Sequence, residues 1–281
     1  MRGEIVYTIF DGKNDLPYND EGKILVRNSI KEMIYWGYDA KGRMERVYQK
    51  GGSQALLTEL DSLKEDQVKI LYLNRLFADD SLSNEHIEVM VKKVESLNSD
   101  MNKGQFLNKI TPEQFKNPSI ANACFDIISK MGSDMDKSNS IDHIIAKDSF
   151  CTENIVHILN LGSRLGSDMD KSNLYEKLID KGLIRDSLFD SLSAYISKMG
   201  SDMDKSNLLN KMLIIDPITE NQWIMLISQS ESLGSDMDKA NMLTVFAKKM
   251  PKTDLVKVAY VKAAKTIHND NDYGRVMRAL E

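Results

Sequence analysis

The stretch Gly132-Ser133-Asp134-Met135-Asp136-Lys137-Ser138-Asn139 decides the fold, because it returns at a fixed distance along the chain. The same eight residues stand at 166–173 and at 200–207, and the copy at 234–241 differs only in having Ala240 in place of Ser. Consecutive copies begin 34 residues apart. A period of about 20–50 residues is typical of chains built from stacked supersecondary units. The sequence therefore predicts a repeat protein, and we call each copy of the octapeptide a corner.

The first aspartate of each corner sets the register of the repeat. The same spacing of 34 residues continues in both directions beyond the four best copies, so that seven aspartates share one register. These register aspartates are Asp66, Asp100, Asp134, Asp168, Asp202, Asp236 and Asp270.

Apolar residues hold fixed positions on both sides of each register aspartate. Before the aspartate they stand three, six and ten residues away, as Met131, Ile128 and Cys124 do before Asp134. After it they stand seven, ten and eleven residues away. Both spacings place the apolar side chains on one face of a helix. Each repeat is therefore predicted to be a pair of amphipathic helices, helix A before the corner and helix B after it.

The corner itself has the residues of a helix–helix junction. Gly132 suits the left-handed conformation that often ends a helix, and the serine after it suits an N-cap. Asp136 stands where a capping-box acid belongs. We further expect the aspartates and lysines of neighbouring corners to form ion pairs. The predicted N-caps are Ser99, Ser133, Ser167, Ser201 and Ser235.

The first fifty residues differ from the rest. Residues 4–10 predict a β-strand, Asp11-Gly12 a turn, and residues 13–18 a short partner strand. A helix is expected from about residue 19 to Tyr35, with Ile24, Ile30, Met33 and Ile34 on its apolar face, and another over 39–49. Gly51-Gly52 marks the boundary. The prediction is an N-terminal cap over residues 1–50 and a helical repeat array over 51–281.

These corners resemble a known pattern. The Ser-Asp-x-acid-Lys sequence, with an apolar residue seven after the aspartate, resembles the Ser-Asp-Tyr-Glu-Lys/Arg repeats of an uncharacterised group of bacterial α-helical repeat proteins. The chain departs from that pattern where methionine replaces tyrosine and Asp replaces Glu. The resemblance implies a helical repeat fold, allows an envelope-associated parent protein, and carries no established activity.

Composition excludes several functions. A net charge of −5 gives no reason to expect nucleic-acid binding. Two cysteines, Cys124 and Cys151, define no disulfide framework. No apolar run reaches the ~18 residues of a membrane helix, and the N-terminus lacks the order of a signal peptide. These features do not assign the protein to a cellular compartment.

The corner also suggests two sharper interpretations. Read as a calcium loop from Asp134, the stretch has Asn139 and Ile145 where such a loop needs Gly and Glu. Five methionines follow the register aspartates, and they suit either a soft binding face or packing in the seams between corners, which we expect. These methionines are Met101, Met135, Met169, Met203 and Met237.

The sequence predicts an all-α solenoid of 34-residue helix pairs, HEAT-like in the broad sense of a superhelix, with a small N-terminal β-hairpin plus helices. Its expected function is a non-catalytic scaffold that binds another protein or peptide. The alternatives are a HEAT-like enzyme acting on nucleic acid and a tetratricopeptide-type peptide-binding adaptor, although the Trp-Leu-Gly-Tyr pattern of the latter is absent. We predict no catalytic, metal-binding or cofactor-binding residues.

Overall fold

The protein is mostly α-helical. The computed structural model describes residues 8–10, 12–79, 82–147, 152–185 and 187–281, and these residues contain sixteen α-helices and one two-stranded sheet. The chain divides into two compact units, Met1–Ile127 and Ile128–Glu281. Within the described residues no helix combines the length and the apolar character that crossing a bilayer requires.

The first unit contains the hairpin and the opening helices. Its elements are β1 (Ile9–Phe10), β2 (Asp15–Leu16), α1 (Asp20–Tyr35), α2 (Ala40–Leu60), α3 (Asp66–Phe77), α4 (Asn84–Val94), α5 (Asp100–Leu107) and α6 (Pro112–Phe115), followed by α7 (Pro118–Lys130). The strands are antiparallel, with Ile9 opposite Leu16. Most of the predicted first strand and Asp11 of the turn lie outside the described residues.

Helix α1 begins and ends near the predicted residues, but the apolar face predicted to be buried is exposed. Asn19 caps it by accepting the backbone N–H of Gly22 at 2.9 Å. The side chains of Ile24, Ile30 and Met33, predicted to form an inward apolar face, are exposed instead. The amphipathic pattern therefore fixed which side chains share a face but not whether another element covers that face.

The predicted boundary at Gly51-Gly52 coincides with a kink in α2. Two helical segments meet there, because the backbone angles of Gly51 and Gly52 are not helical. Gly52 has a φ of 60°, a conformation that glycine adopts at little cost. The division into a cap over 1–50 and an array over 51–281 stays a prediction.

The second unit alternates helices A and B. Its elements are α8 (Asp134–Ile145), α9 (Thr152–Ser163), α10 (Asp168–Asp180), α11 (Ser187–Ile196), α12 (Asp202–Lys211), α13 (Glu220–Gln229), α14 (Asp236–Lys249), α15 (Asp254–Ala264) and α16 (Asp270–Leu280), with short 3-10 helices at Met212–Ile214 and Ser230–Ser232. Each B helix of this unit contacts the next, in the order α8, α10, α12, α14, α16. The B helices therefore lie side by side.

The predicted core columns are confirmed. Every residue three, six or ten positions before a register aspartate is buried, from Leu56 to Ile267. The residue seven positions after it is buried in six repeats, and Met277 in the last is half-buried. All seven register aspartates are the first residues of helices. The helical period and the 34-residue repeat together identified the buried faces.

In one repeat a glycine on helix A faces a tyrosine on helix B. Gly162 stands in a column that otherwise holds larger residues, and a Cβ at this position would lie 2.7 Å from Leu174 and 2.9 Å from Tyr175. Tyr175 fills the vacated space and is fully buried. Its hydroxyl has no hydrogen-bond partner among the described residues, and burial raises the pKa of Tyr175. The glycine is thus required by the close approach of Tyr175.

Candidate functional site: the corners and the methionine row

The serine of each corner caps the following B helix. Its Oγ accepts a hydrogen bond from the backbone N–H three residues later, which satisfies one of the donors that a helix start leaves free. The N to Oγ distances are 3.3 Å for Ser99, 3.2 Å for Ser133, 3.3 Å for Ser167, 3.2 Å for Ser201 and 3.2 Å for Ser235. Asn269 takes this place before α16, accepting from Asn271 and Asp272.

Each register aspartate reaches forward to the next corner. Oδ2 of Asp168 accepts the backbone N–H groups of Gly200 at 2.6 Å and Ser201 at 2.8 Å. Asp66, Asp202 and Asp236 accept equivalent pairs, and Asp134 accepts the N–H of Gly166 at 2.7 Å. A carboxylate in one repeat therefore holds the backbone at the start of the B helix in the next.

This contact corrects the capping-box prediction. In a capping box the third helical residue accepts the backbone N–H of the N-cap. At Ser201 that N–H goes to Asp168 of the preceding repeat, and the side chain of Asp204 has no partner among the described residues. The side chain of Asp is one methylene shorter than that of Glu, and the preceding repeat takes over the role.

The glycine prediction is also corrected. Gly166, Gly200 and Gly234 do not have positive φ, so they are not left-handed helix ends. A Cβ at these glycines would lie 3.0–3.4 Å from Oδ2 of the preceding register aspartate. The glycines leave room for the carboxylate. Asn98 and His268 make the same backbone contact, so a side chain is tolerated at this place.

Three of the corner lysines form close ion pairs within their own repeat. Lys103, Lys137 and Lys171 contact Oδ1 of the register aspartate three residues earlier, at 2.9, 3.2 and 2.7 Å. The prediction that they pair with the acid of a neighbouring repeat is wrong, because the forward-facing Oδ2 is occupied by backbone N–H groups. Other lysines link adjacent B helices: Lys177 donates to Asp142 at 2.5 Å and Lys211 contacts Asp180 at 2.6 Å.

These contacts lower the pKa of register aspartates. The N–H of Gly166, together with Lys137, lowers the pKa of Asp134. Burial raises the pKa of Asp168, but hydrogen bonds from Lys171, Ser201 and Gly200 outweigh it and the net pKa is lowered. At Asp236 desolvation is likewise outweighed by the N–H groups of His268 and Asn269, and the pKa is again lowered. The folded protein therefore favours the ionised form of these carboxylates.

The methionines of the corners point into solvent. Their exposed fractions lie between 59% and 70%, so the prediction that they pack in the seams between corners is wrong. In the second unit the exposed methionines stand at the second residue of four neighbouring B helices. We call this set the methionine row: Met135, Met169, Met203 and Met237. The helical period already held a signal for this exposure, because at 3.6 residues per turn the methionine lies roughly 130° away from the apolar positions seven, ten and eleven residues after the aspartate.

A groove lies beside the row between α8 and α10. It has a volume of 220 Å³, and its lining includes Met135, Asn139, Asp170 and Asn173. Ser138 also lines it, with an Oγ that is buried and has no partner among the described residues. The groove thus combines an apolar side chain, amides, a carboxylate and an unused hydroxyl.

The described residues hold no group of three or more His, Cys, Asp or Glu side chains arranged to bind a metal. The calcium interpretation of the corner also meets a direct conflict, because the oxygens of Asp168 already bind Lys171 and two backbone N–H groups. Cys124 is buried in the core column of α7, and Cys151 lies outside the described residues.

Neither the scan against protein-family models nor the search of curated proteins finds a match to this chain.

Proposed function

We propose that the helix pairs form an α-solenoid of 34-residue repeats whose B-helix face binds another protein or a peptide without catalysis. The exposure of the methionine row carries this proposal. Within the corner the serine, the register aspartate and the lysine each have a structural contact, whereas the methionine contacts solvent.

A repeated, exposed apolar side chain is suited to binding. Large apolar side chains that lie in register on a surface mark interaction sites more often than side chains that are scattered singly. Methionine is flexible and polarizable, and it adapts to partners of different shape. The resemblance of the corners to α-helical repeat proteins supports the same architecture.

The alternative of an enzyme acting on nucleic acid has less support. Such a protein needs a basic surface for the phosphate backbone. The third residue of each B helix beside the methionine row is an acid, from Asp136 to Asp238, and none of these carboxylates pairs with a cation in the described part of the chain. Carboxylates along the row would repel a polyanion.

The test compares two triple variants of the full chain. The row variant carries Met169→Gln, Met203→Gln and Met237→Gln. The control variant carries Val156→Gln, Leu255→Gln and Val258→Gln, which change exposed apolar residues on α9 and α15. Each immobilised protein is used to capture partners from a lysate of the source organism, and the captured proteins are identified by mass spectrometry.

We expect the parent and the control variant to retain the same partner and the row variant to lose it. Melting curves of all three proteins show whether the substitutions leave the fold intact. Equal capture by the row variant would move the binding surface away from the methionines.

A further inference from the structure

A second exposed series runs beside the methionine row. The fifth residue after the register aspartate is Asn139 in α8, Asn173 in α10 and Asn207 in α12, all exposed. Each lies four residues after a methionine, on the same helix face. None of their amides has a hydrogen-bond partner within the described residues, whereas Asn241 in α14 accepts from Arg275 at 2.8 Å. The unused amides therefore form a series of three.

A carboxamide offers one accepting oxygen and two N–H donors. It can therefore bind the backbone C=O and N–H of one peptide residue together. Packed helices lie about 8–10 Å apart, so the amides of adjacent B helices repeat at that distance. A polyproline II peptide repeats every three residues with a rise of about 3.1 Å each, or about 9 Å per turn. Its backbone matches the spacing of the amides.

The charges beside the amides select the side chains of such a peptide. Asp136, Asp170 and Asp204 are the third residues of α8, α10 and α12, and their carboxylates are unpaired among the described residues. The exposed lysines near the ends of the same helices are already engaged, since Lys177 contacts Asp142 and Lys211 contacts Asp180. In the first turns Lys137 and Lys171 contact their own register aspartates, and Lys205 is buried. A ligand that passes along the row thus meets unpaired negative charge once per helix.

We propose that α8, α10 and α12 bind a partner segment in polyproline II conformation that carries Lys or Arg at every third position. Each asparagine binds one backbone residue, each corner aspartate faces one cationic side chain, and the methionines cover the apolar stems between them. The groove between α8 and α10, with its unused Ser138 hydroxyl, lies within this surface. The inference rests on the proposed function, which it deepens by stating the chemistry of the partner.

The test uses three labelled peptides and fluorescence anisotropy. The first is (Lys-Pro-Pro)4, which places a cation and a backbone N–H at every third residue and favours polyproline II. The second has the same composition with its four lysines grouped at one end. The third is (Glu-Pro-Pro)4, which keeps the conformation and reverses the charge. We expect only the first to bind the parent protein well, with an affinity that falls as salt is added.

Two variants separate the amide from the charge. Asn173→Ala should weaken binding of (Lys-Pro-Pro)4 by about 2- to 10-fold, the range for one lost hydrogen bond. Asp170→Asn should weaken it and reduce the salt dependence. Asn221→Ala, which changes an exposed asparagine on α13, is the control and should leave the affinity unchanged. Equal affinity for the periodic and grouped peptides, or no effect of Asn173→Ala, would overturn the inference.

Failure of this inference differs from failure of the proposed function. If a captured partner depends on the methionine row but (Lys-Pro-Pro)4 neither binds nor displaces it, the row is a binding surface for a segment of another conformation. If the row variant captures the partner as well as the parent does, the proposed function itself fails.

Discussion

Oδ2 of Asp168 lies 2.8 Å from the backbone nitrogen of Ser201, although 33 residues separate them in the chain. Ser201 is the N-cap of α12. The carboxylate of one repeat thus accepts from the residue that begins the B helix of the next. The contact couples two consecutive repeats through a backbone donor at a helix start.

Asp168→Asn should destabilise the protein more than Asp170→Asn does. Both variants lose one negative charge from the first turn of α10, but only Asp168 accepts from the next corner. Hydrogen bonds to charged groups contribute about 1.5–3 kcal/mol, whereas an acid near a helix N-terminus contributes about 0.3–1 kcal/mol. Urea unfolding of both variants measures the difference. Equal losses would mean that the link between corners adds nothing to stability.

The protein should lose stability in acid because of these contacts. The pKa values of Asp134, Asp168 and Asp236 are lowered in the folded chain, while the unfolded value is about 3.9. A lowered folded pKa gives stability that is present above the unfolded pKa and disappears as the pH falls through the folded pKa. The free energy of unfolding should therefore fall below about pH 4.

Asp168→Asn provides the control for the acid prediction, since it removes one of the titrating groups. Its unfolding free energy should depend less steeply on pH over the same range. Parallel curves for the parent and the variant would contradict the assignment of the acid sensitivity to this carboxylate.

Ser201→Ala should cost about 0.5–2 kcal/mol, because it removes the acceptor for the N–H of Asp204. Asn269→Ala, at the start of α16, should cost less, since among the described residues Asp270 holds no further corner in place. Thermal melting of both variants beside the parent gives the order. Identical melting temperatures for all three would remove the structural role of these caps.

Tyr175→Phe should keep or raise stability, whereas Tyr260→Phe should lower it. Both rings are fully buried, but the Tyr175 hydroxyl has no partner in the described part of the chain, while that of Tyr260 lies 3.1 and 3.0 Å from the carbonyl oxygens of Leu243 and Val276. An unsatisfied buried polar group costs about 1–3 kcal/mol, and a made hydrogen bond contributes about 0.5–1.5 kcal/mol. A loss of stability in Tyr175→Phe would show that its hydroxyl is hydrogen-bonded in solution.

The buried faces were predictable from the sequence because two periods constrain them. The helical period groups residues on a face, and the 34-residue repeat shows the same face seven times. Cys124 and Ile158, for example, hold equivalent buried positions in different repeats. The start of helix B at each corner follows from the same repetition, since each register aspartate is the first residue of a helix.

The contacts between corners were not predictable in the same way. Asp168 and Gly200 meet only because consecutive helix pairs approach closely, and no local pattern states that distance. The exposure of Met169 depends on what covers the first turn of α10, as the exposure of Ile24 depends on what covers α1. Sequence periodicity ranks the faces of a helix, but only the packing of whole elements decides which faces stay open.

The hydrogen bonds between corners use backbone N–H donors. The same bonds can therefore form whatever the number of repeats. A side chain at the donor position is immaterial, as Asn98 and His268 show. Removal of residues 167–200 would join Gly166 to Ser201 and recreate the same octapeptide. The junction would keep its donors, its acceptor and its cap. The loss of such a segment would therefore keep the hydrogen bonds of the corner, whereas the core beside it would have to repack, because Gly162 would then face Leu209 in place of Tyr175.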